Sequence, residues 1–281
     1  MFFLIISILT SAMMSIVLRL SQGRIRGKFA MLAVNYATCI IAGLFDTGAE
    51  SLLRPGSGVE LALGLGIVNG VLYLAALMIQ QMSIEKNGIT LSSVFQRIGG
   101  LLVPFLVSVV FFRERPVALQ VIGAVLAIGS IVAMNRDEQS RSVGSMLLLL
   151  LLFLADGTTS STSKIYGELG NPAFSDHFVS YTFLVALLCS MIVVLKRKER
   201  FGWAELIFGL LIGIPNFFGT KALLAALDTV PGVIAYPVRS VSSMLVVAIV
   251  GLAVFHEKLN RRQWCCIAAI VTAVVLLSFG G

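Results

Sequence analysis

Residues 112–116 of the chain, Phe112-Arg113-Glu114-Arg115-Pro116, end one long apolar stretch and precede another. A similar segment, Phe255-His256-Glu257-Lys258-Leu259, lies between two apolar stretches 143 residues later. Gln120 and Gln263 follow the two segments at the same offset. The recurrence predicts that the chain consists of two copies of one structural unit.

The composition of the chain indicates which solvent surrounds those units. Of the 281 residues, 58% are apolar and 12% are charged, and the mean hydropathy is +0.97. Soluble domains have about 45–50% apolar and about 25% charged residues. So few polar residues cannot cover a surface that faces water, which excludes soluble, collagen-like, disordered and disulfide-scaffold classes. The chain is therefore predicted to fold within a lipid bilayer.

Ten apolar stretches are each long enough to cross a hydrocarbon core of about 30 Å as a helix. They cover residues 2–20, 28–46, 60–82, 88–112, 117–134, 144–166, 174–195, 204–227, 232–255 and 261–279. The short alternating segments typical of a barrel are absent, so helices are expected to satisfy the backbone hydrogen bonds in lipid. The expected fold class is an all-α membrane protein with ten transmembrane helices.

The repeated segment divides the ten predicted helices into two sets of five. The first repeat covers residues 1–135, the second covers 142–281, and residues 136–141 form a short linker. Because five is odd, the second copy must enter the membrane in the opposite orientation, which gives two inverted repeats. Inverted repeats are typical of alternating access, in which a central site opens to each side in turn. Channels and structural membrane proteins also contain repeats, so duplication alone does not establish a transporter.

Lysine and arginine are distributed unevenly among the predicted connections. Connections after odd-numbered helices hold fourteen of them, and connections after even-numbered helices hold four, namely Arg54, Arg113, Arg115 and Lys164. Positively charged connections usually lie in the cytoplasm, so both termini are predicted to lie outside. The net charge of +7 thus reflects orientation, and the scattered clusters of cations argue against nucleic-acid binding.

Sequence motifs of enzymes and metal centres are absent. The four cysteines lie inside apolar stretches without CxxC or Cys/His spacing, and no HExxH, GxSxG or P-loop pattern occurs. We therefore expect neither an enzyme nor a metal or cofactor site. The expected partners are the lipid bilayer and a small-molecule substrate, and the sequence leaves the oligomeric state open.

Four ionisable residues fall deep inside predicted helices, away from the helix ends: Arg97, Asp156, Lys221 and Arg239. A charge at this depth costs about 2.5–3.5 kcal/mol on insertion scales, so such a residue usually faces a cavity or a partner. Arg97 and Arg239 lie in polar faces of corresponding helices of the two repeats. The alternative for each arginine is a structural role in helix-to-helix hydrogen bonding. Lys221 is rotated by about 140° from Asn216 on its helix, so it is predicted to lie on a different surface.

The polar faces of five predicted helices supply the candidate substrate site. Its residues are Asn69 and Tyr73 on helix 3, Gln96 and Arg97 on helix 4, Thr159 and Ser160 on helix 6, Asn216 on helix 8, and Tyr236, Arg239 and Ser240 on helix 9. Helix 6 also carries Asp156, an acid present in one repeat alone. Asp156 is therefore the candidate for proton coupling or cation contact, and the alternative is a structural salt bridge to Arg97 or Arg239.

Two inverted five-helix halves, each with a glutamate closing its fourth helix, resemble the drug/metabolite transporter superfamily, EamA type. The resemblance covers essentially the whole chain and rests on residues 112–116 with Gly123 and on residues 255–259, although Cys266 replaces the glycine in the second half. It implies a carrier of small metabolites such as amino acids or organic cations, with a cavity lined by helices 1, 3, 4, 6, 8 and 9. It also implies cytoplasmic termini. The charge distribution predicts external termini instead, and we retain that prediction.

The functional hypothesis is a secondary active transporter of a small polar metabolite in the cytoplasmic membrane of a prokaryote. Two arginines beside one acid favour an amino-acid-like substrate, or one with a carboxylate or phosphate, because arginine binds these anions in a forked geometry. Transport would proceed by alternating access, with proton-coupled export as one form of it. Glu114 and Glu257 are expected to be structural and to bind backbone amides or basic residues. The alternatives are a lipid-linked substrate flippase and a non-transporting sensor or assembly subunit.

Overall fold

The structure is a computed structural model that describes residues 1–21, 23–48, 58–87, 89–134, 145–253 and 261–278. Within these ranges the chain forms ten α-helices and one short 3₁₀ turn, Pro172–Phe174. The helices are α1 Phe2–Ser21, α2 Lys28–Thr47, α3 Val59–Asn87, α4 Ile89–Val110, α5 Ala118–Met134, α6 Met146–Leu169, α7 Ser175–Arg197, α8 Trp203–Leu227, α9 Gly232–Ala253 and α10 Arg261–Ser278. They follow the ten predicted stretches, which confirms the all-α fold class.

The lengths and apolar composition of these helices suit a bilayer. In the described part of the chain, α2, α3, α6, α7, α8 and α9 are each long and apolar enough to cross a membrane. The remaining four, α1, α4, α5 and α10, contain shorter apolar segments of 10–17 residues. The chain is therefore an integral membrane protein.

Several predicted features fall on residues that the structure does not describe. The proposed linker 136–141 and the second copy of the repeated segment, 255–259 with Glu257, lie outside the described residues. Arg54 lies outside them as well. The first copy of the segment, 112–116, is described in full.

The chain divides into two compact units that do not coincide with its sequence halves. Unit A comprises Met1, Ala75–Lys164 and Ala226–Gly281, and unit B comprises Phe2–Leu74 and Ile165–Ala225. Each unit therefore draws residues from both predicted repeats. The boundary between the units falls within α3, α6 and α8, so these helices contribute residues to both.

Apolar packing and close glycine contacts hold unit A together. Helices α4, α5, α9 and α10 share a buried cluster of Leu101, Ala127, Ile131, Val241, Met244, Ile270 and Ala273. Helix α4 also lies directly against α6, because a Cβ at Gly99 would be only 2.2 Å from the carbonyl oxygen of Phe153. Small residues allow helix backbones in a membrane to approach this closely.

Unit B uses the same device between α3 and α7. Gly66 and Gly70 are spaced as a GxxxG pattern, and a Cβ at Gly70 would lie 2.6 Å from the carbonyl oxygen of Thr182. Gly58, just before α3, lies against Asn171, just before α7, so the two helices start at the same end and run parallel.

Within each unit, contacts at the helix ends join connections that follow odd-numbered helices to each other, and connections that follow even-numbered helices to each other. In unit B, carboxylates near the α7–α8 connection bind the N-terminus of α2. In unit A, Glu114 after α4 binds the N-terminus of α9, and Asn87 at the end of α3 binds Ser145 before α6. Odd connections thus meet odd ones and even meet even, as alternating membrane helices require. Which end faces the cytoplasm stays a prediction.

Candidate functional site

Asp156 lies near the middle of α6 and ends a chain of side-chain hydrogen bonds in unit A. Gln96 of α4 donates from Nε2 to Asp156 Oδ1 at 3.0 Å, and Gln80 of α3 donates from Nε2 to Gln96 Oε1 at 2.7 Å. An amide side chain has both a donor and an acceptor, so Gln96 can join its two neighbours. The chain fixes one carboxylate oxygen of Asp156, and all three side chains are half-buried.

Two arginines act on the same carboxylate. Arg97 of α4 and Arg239 of α9 both interact electrostatically with Asp156. Both guanidinium groups belong to half-buried residues, away from the ends of their helices. Attraction between opposite charges is several times stronger in such an environment than in bulk water. Three helices thus bring together two positive charges and one negative charge.

Helices α6 and α9 are connected at successive turns, which places Asp156 near Arg239. Near the end of α6, Lys164 is joined through Glu114 to the first turn of α9. One turn earlier on α6, the carbonyl oxygen of Ser160 accepts a hydrogen bond of 3.0 Å from the hydroxyl of Tyr236. The contacts advance along α9 as they recede along α6, so the helices are antiparallel.

Gly100 allows the backbone of α4 to approach the carboxylate. A Cβ at this position would lie 2.5 Å from Asp156 Oδ2 and 3.6 Å from Ser160 Oγ. On α6, a Cβ at Gly157 would lie 2.4 Å from a methyl carbon of Val103. The charged cluster is therefore built where two helices pack through glycines.

The remaining predicted residues of unit A lie on the same helix faces. Thr159 is half-buried, and its hydroxyl donates to the carbonyl oxygen of Ala155 in its own helix at 2.8 Å. Ser240 is half-buried next to Arg239, and its carbonyl oxygen accepts from the hydroxyl of Ser243 at 3.0 Å.

Three predicted substrate-binding residues belong to unit B. Asn69 is fully buried and donates to Thr182 Oγ1 at 3.5 Å, while its Oδ1 has no hydrogen-bond partner among the described residues. Asn216 is buried and donates to Asn35 Oδ1 at 3.2 Å. The ring of Tyr73 lies edge-on to that of Phe183, with 6.2 Å between centroids. The described contacts of these residues are with α2 and α7.

The predicted position of Lys164 is wrong. It was counted in the connection after helix 6, but it lies inside α6 and its side chain is fully buried. Lys164 lies two residues before the predicted end of that span, at residue 166, and was counted with the connection for that reason, whereas α6 continues to Leu169. A signal was present, since Asp156, Ser160 and Lys164 recur at four-residue steps on one helix face.

Glu114 is the partner of that buried lysine. One of its carboxylate oxygens forms the ion pair with Lys164 and accepts from the backbone of Gly232 at 3.2 Å, and the other accepts from Val233 N at 2.9 Å. The ammonium also lies 5.5 Å from the centroid of the Phe112 ring. A carboxylate at a helix N-terminus satisfies free N–H groups and complements the helix dipole. The predicted structural role of Glu114 is thereby confirmed.

Lys221 forms a separate ionic cluster in unit B. It pairs with Asp46 of α2 and with Asp176 of α7, the second at 2.9 Å. All three side chains are about one-third exposed. Asn216, on the same helix, is buried, as expected for a different surface.

The described residues offer no metal site. Among them, no group of three or more His, Cys, Asp or Glu side chains is arranged to hold a metal ion. Cys39, Cys189, Cys265 and Cys266 are free thiols.

Apolar helices that carry a half-buried cluster of two arginines and an aspartate in unit A define a polytopic membrane protein. Residues 143–279 match the EamA-like transporter family. Over 104 residues, 34% of this chain and 91% of the relative, the sequence is 30% identical to the probable 4-amino-4-deoxy-L-arabinose-phosphoundecaprenol flippase subunit ArnE of Proteus mirabilis (strain HI4320). The chain belongs to the EamA-like transporter family and is a membrane transporter, which confirms the resemblance seen in the sequence.

A solved crystal structure of a protein with 13% sequence identity has the same fold. The two structures superpose with a TM-score of 0.75 over 99% of this chain and 95% of the other. At this identity the likeness concerns the fold alone.

Proposed function

We propose that this transporter is a secondary active carrier of a small polar metabolite with a carboxylate or phosphate group, amino-acid-like compounds included. The observation that carries the proposal is the action of Arg97 and Arg239 on one carboxylate, that of Asp156. Guanidinium groups bind carboxylates and phosphates in a forked geometry, so an anionic substrate can compete with the Asp156 carboxylate for one or both arginines.

Asp156 gives the site a means of coupling. A substrate with an ammonium group and a proton would compete for the same carboxylate, while Arg97 and Arg239 hold the anionic end of the substrate. Competition of this kind exchanges protons for substrate across the membrane and supports export driven by an inward proton gradient. Gln96 and Gln80 orient the carboxylate for this competition through their hydrogen bonds.

The other residues predicted from the sequence also belong to the proposal. Thr159, Ser160, Tyr236 and Ser240 lie on the faces of α6 and α9 that carry the charged residues. In unit B, the Oδ1 of Asn69 is buried and has no hydrogen-bond partner in the described part of the chain, which supports a role in binding a polar ligand. Tyr73 and Asn216 stay in the proposal as members of the polar faces predicted for helices 3 and 8.

We further propose alternating access by two inverted repeats, residues 1–135 and 142–281, in the cytoplasmic membrane of a prokaryote. The division of each compact unit between both repeats supports an intertwined arrangement. Lys164 is buried in a helix, so three cations remain of the four assigned to connections after even-numbered helices. Connections after odd-numbered helices were assigned fourteen. This supports cytoplasmic odd connections and external termini. Labelling of single cysteines introduced at Gly23 and Arg115 with an impermeant reagent tests it, since only the second should react from outside.

Transport by the purified protein tests the proposed function. Proteoliposomes are loaded with members of a panel of amino acids, carboxylates, phosphate esters and organic cations, and exchange for the same labelled compound is measured. We expect exchange of an anionic or zwitterionic compound, accelerated by a pH gradient. Exchange of organic cations alone would contradict the role given to the arginines.

A second candidate function is flipping of a lipid-linked substrate, which the similarity to the ArnE flippase subunit favours. Vesicles containing a fluorescent polyprenyl-phosphate sugar distinguish the two functions, because a flippase makes the inner-leaflet label accessible to an external quencher. Labelled lipid that moves while every soluble compound fails to exchange would favour the flippase.

A further inference from the structure

Two connections that are far apart in the sequence meet at one end of unit B. Glu205 of α8 accepts hydrogen bonds from the backbone N–H groups of Arg26 and Gly27 at 2.7 and 3.0 Å. Glu199, between α7 and α8, accepts from two N–H groups in the first turn of α2 at 2.8 and 3.0 Å. These bonds hold the α1–α2 connection beside the α7–α8 connection.

Seven exposed cations therefore share this end of unit B. They come from the α1–α2 connection and the start of α2 and from the last turn of α7 with the residues after it: Arg24, Arg26, Lys28, Lys196, Arg197, Lys198 and Arg200. We refer to these seven residues as the basic surface.

Acidic side chains do little to neutralise the basic surface. Glu199 and Glu205 point their carboxylates at the backbone N–H groups of α2, and Glu205 is 4% exposed. The other acids of the described part of unit B lie at the opposite helix ends: Asp46, Glu60, Glu168 and Asp176. The charge of this end is thus strongly positive.

The basic surface lies at the ends of helices that are long and apolar enough to cross a membrane. Its residues occupy the ends of the membrane helices α2 and α7, and α8 begins beside it with Trp203, which is 82% exposed. Phe201, in the same connection, is 46% exposed. Exposed tryptophan at a helix end is typical of the membrane–water interface.

We infer that the basic surface binds the phosphate-bearing headgroups of anionic phospholipids. Clusters of four to eight lysines and arginines beside membrane helices attract anionic lipids, and arginine in particular matches the geometry of phosphate. A lipid, and not a soluble phosphate, fits because the cations spread over two connections and exposed aromatic side chains adjoin them. The basic surface shares no residue with the Asp156 cluster, so the inference does not depend on the transported substrate.

Thermal unfolding of the full chain in detergent tests this inference. Short-chain phosphatidylglycerol, phosphatidylcholine or inorganic phosphate is added at matched ionic strength, and the shift in unfolding midpoint is measured, since a ligand of the folded state raises the midpoint. We expect phosphatidylglycerol to raise it more than phosphatidylcholine does, and the difference to fall as sodium chloride is increased.

A matched pair of variants locates the effect. Arg24→Gln with Lys196→Gln removes one connection residue and one last-turn residue from the basic surface. The control pair, Lys86→Gln with Arg115→Gln, removes one exposed last-turn residue and one exposed connection residue from unit A. We expect the first pair to lose at least half of the phosphatidylglycerol-specific shift and the second pair to keep it. Equal shifts for both lipids, equal loss in both pairs, or a full shift with inorganic phosphate would overturn the inference.

Discussion

Lys164 and Glu114 form an ion pair in which the lysine side chain is fully buried and the glutamate also holds the N-terminus of α9. The backbone contributes to this geometry, because Arg113 has a positive φ of 55° in the turn that precedes Glu114. The pair fixes the start of α9, and Arg239 lies two turns further along the same helix. The stability of the Lys164–Glu114 pair and the geometry of the cluster formed by Asp156 and the two arginines are therefore connected.

Removing Glu114 should destabilise the protein more than removing Lys164 does. Glu114→Gln leaves a buried lysine without a counter-charge, and loss of one partner of a buried pair costs about 3–5 kcal/mol. Lys164→Met keeps the length of the side chain and leaves Glu114 bonded to the α9 backbone, so we expect a smaller loss. Thermal unfolding in detergent measures both, with Arg115→Gln as an exposed control. The double variant should be more stable than Glu114→Gln alone, and a double variant that is less stable would contradict the pairing.

Glycines in the contact between α4 and α6 should differ sharply from an exposed glycine. Gly99→Ala places a Cβ 2.2 Å from the Phe153 carbonyl oxygen, so the helices must separate, and such overpacking costs about 1–3 kcal/mol. Gly129→Ala in α5 meets nothing within 4 Å and should unfold at or above the wild-type midpoint. If Gly99→Ala unfolds like Gly129→Ala, the close α4–α6 packing is wrong.

Gly100→Ala should affect transport more than stability. The added Cβ would lie 2.5 Å from Asp156 Oδ2, which is the end of a side chain that can shift. Its displacement would disturb the bond from Gln96 and the position relative to both arginines. We expect a near-normal unfolding midpoint together with reduced exchange in proteoliposomes, and normal exchange would argue against a role for the carboxylate position.

The N-terminus of α2 should depend on Glu205. Its carboxylate accepts hydrogen bonds from three backbone N–H groups, those of Arg26, Gly27 and Gly202. Glu205→Ala leaves the buried N–H of Gly27 and two partly buried N–H groups without their acceptor, and an unsatisfied buried group costs about 1–3 kcal/mol. Glu60→Ala, which removes an exposed acid from the first turn of α3, is the control and should lower the unfolding midpoint much less. Equal losses would show that Glu205 does not have this role.

Apolar length sufficed to predict the fold, while the ionic contacts required the structure. The number and limits of the helices follow from how much apolar sequence a bilayer needs, and the observed helices match those stretches. The carboxylates of Glu199 and Glu205 bind α2 across about 170 residues of sequence. No local pattern encodes such a partner, because only the packing of α7 and α8 beside α2 creates it.

For the candidate site, too, the sequence predicted the helix faces but not all of their neighbours. Helical spacing placed Gln96 and Arg97 on one face of α4 and Asp156 on a polar face of α6, and the structure brings these residues together. The same spacing grouped Asn216 with them, yet its described hydrogen bond is to Asn35 in unit B. Spacing determines the face of a helix, whereas the neighbour of that face depends on tertiary packing.

Asp156→Asn should separate binding from coupling. The amide keeps the shape of the side chain but cannot exchange a proton, so we expect substrate exchange that no longer responds to an imposed pH gradient. Proteoliposome exchange with and without the gradient measures this, with the wild-type chain alongside. A variant that responds to the gradient as the wild type does would exclude Asp156 as the coupling residue.

The most direct measurement is the KM for the exchanged substrate in Arg97→Ala and Arg239→Ala, with Arg115→Ala as an exposed control. A hydrogen bond to a charged group contributes about 1.5–3 kcal/mol, and about 1.4 kcal/mol corresponds to tenfold in affinity. We therefore predict a KM at least tenfold higher, or no measurable transport, in both site variants, and an unchanged KM in the control. Wild-type KM values in both Arg97→Ala and Arg239→Ala would contradict the account.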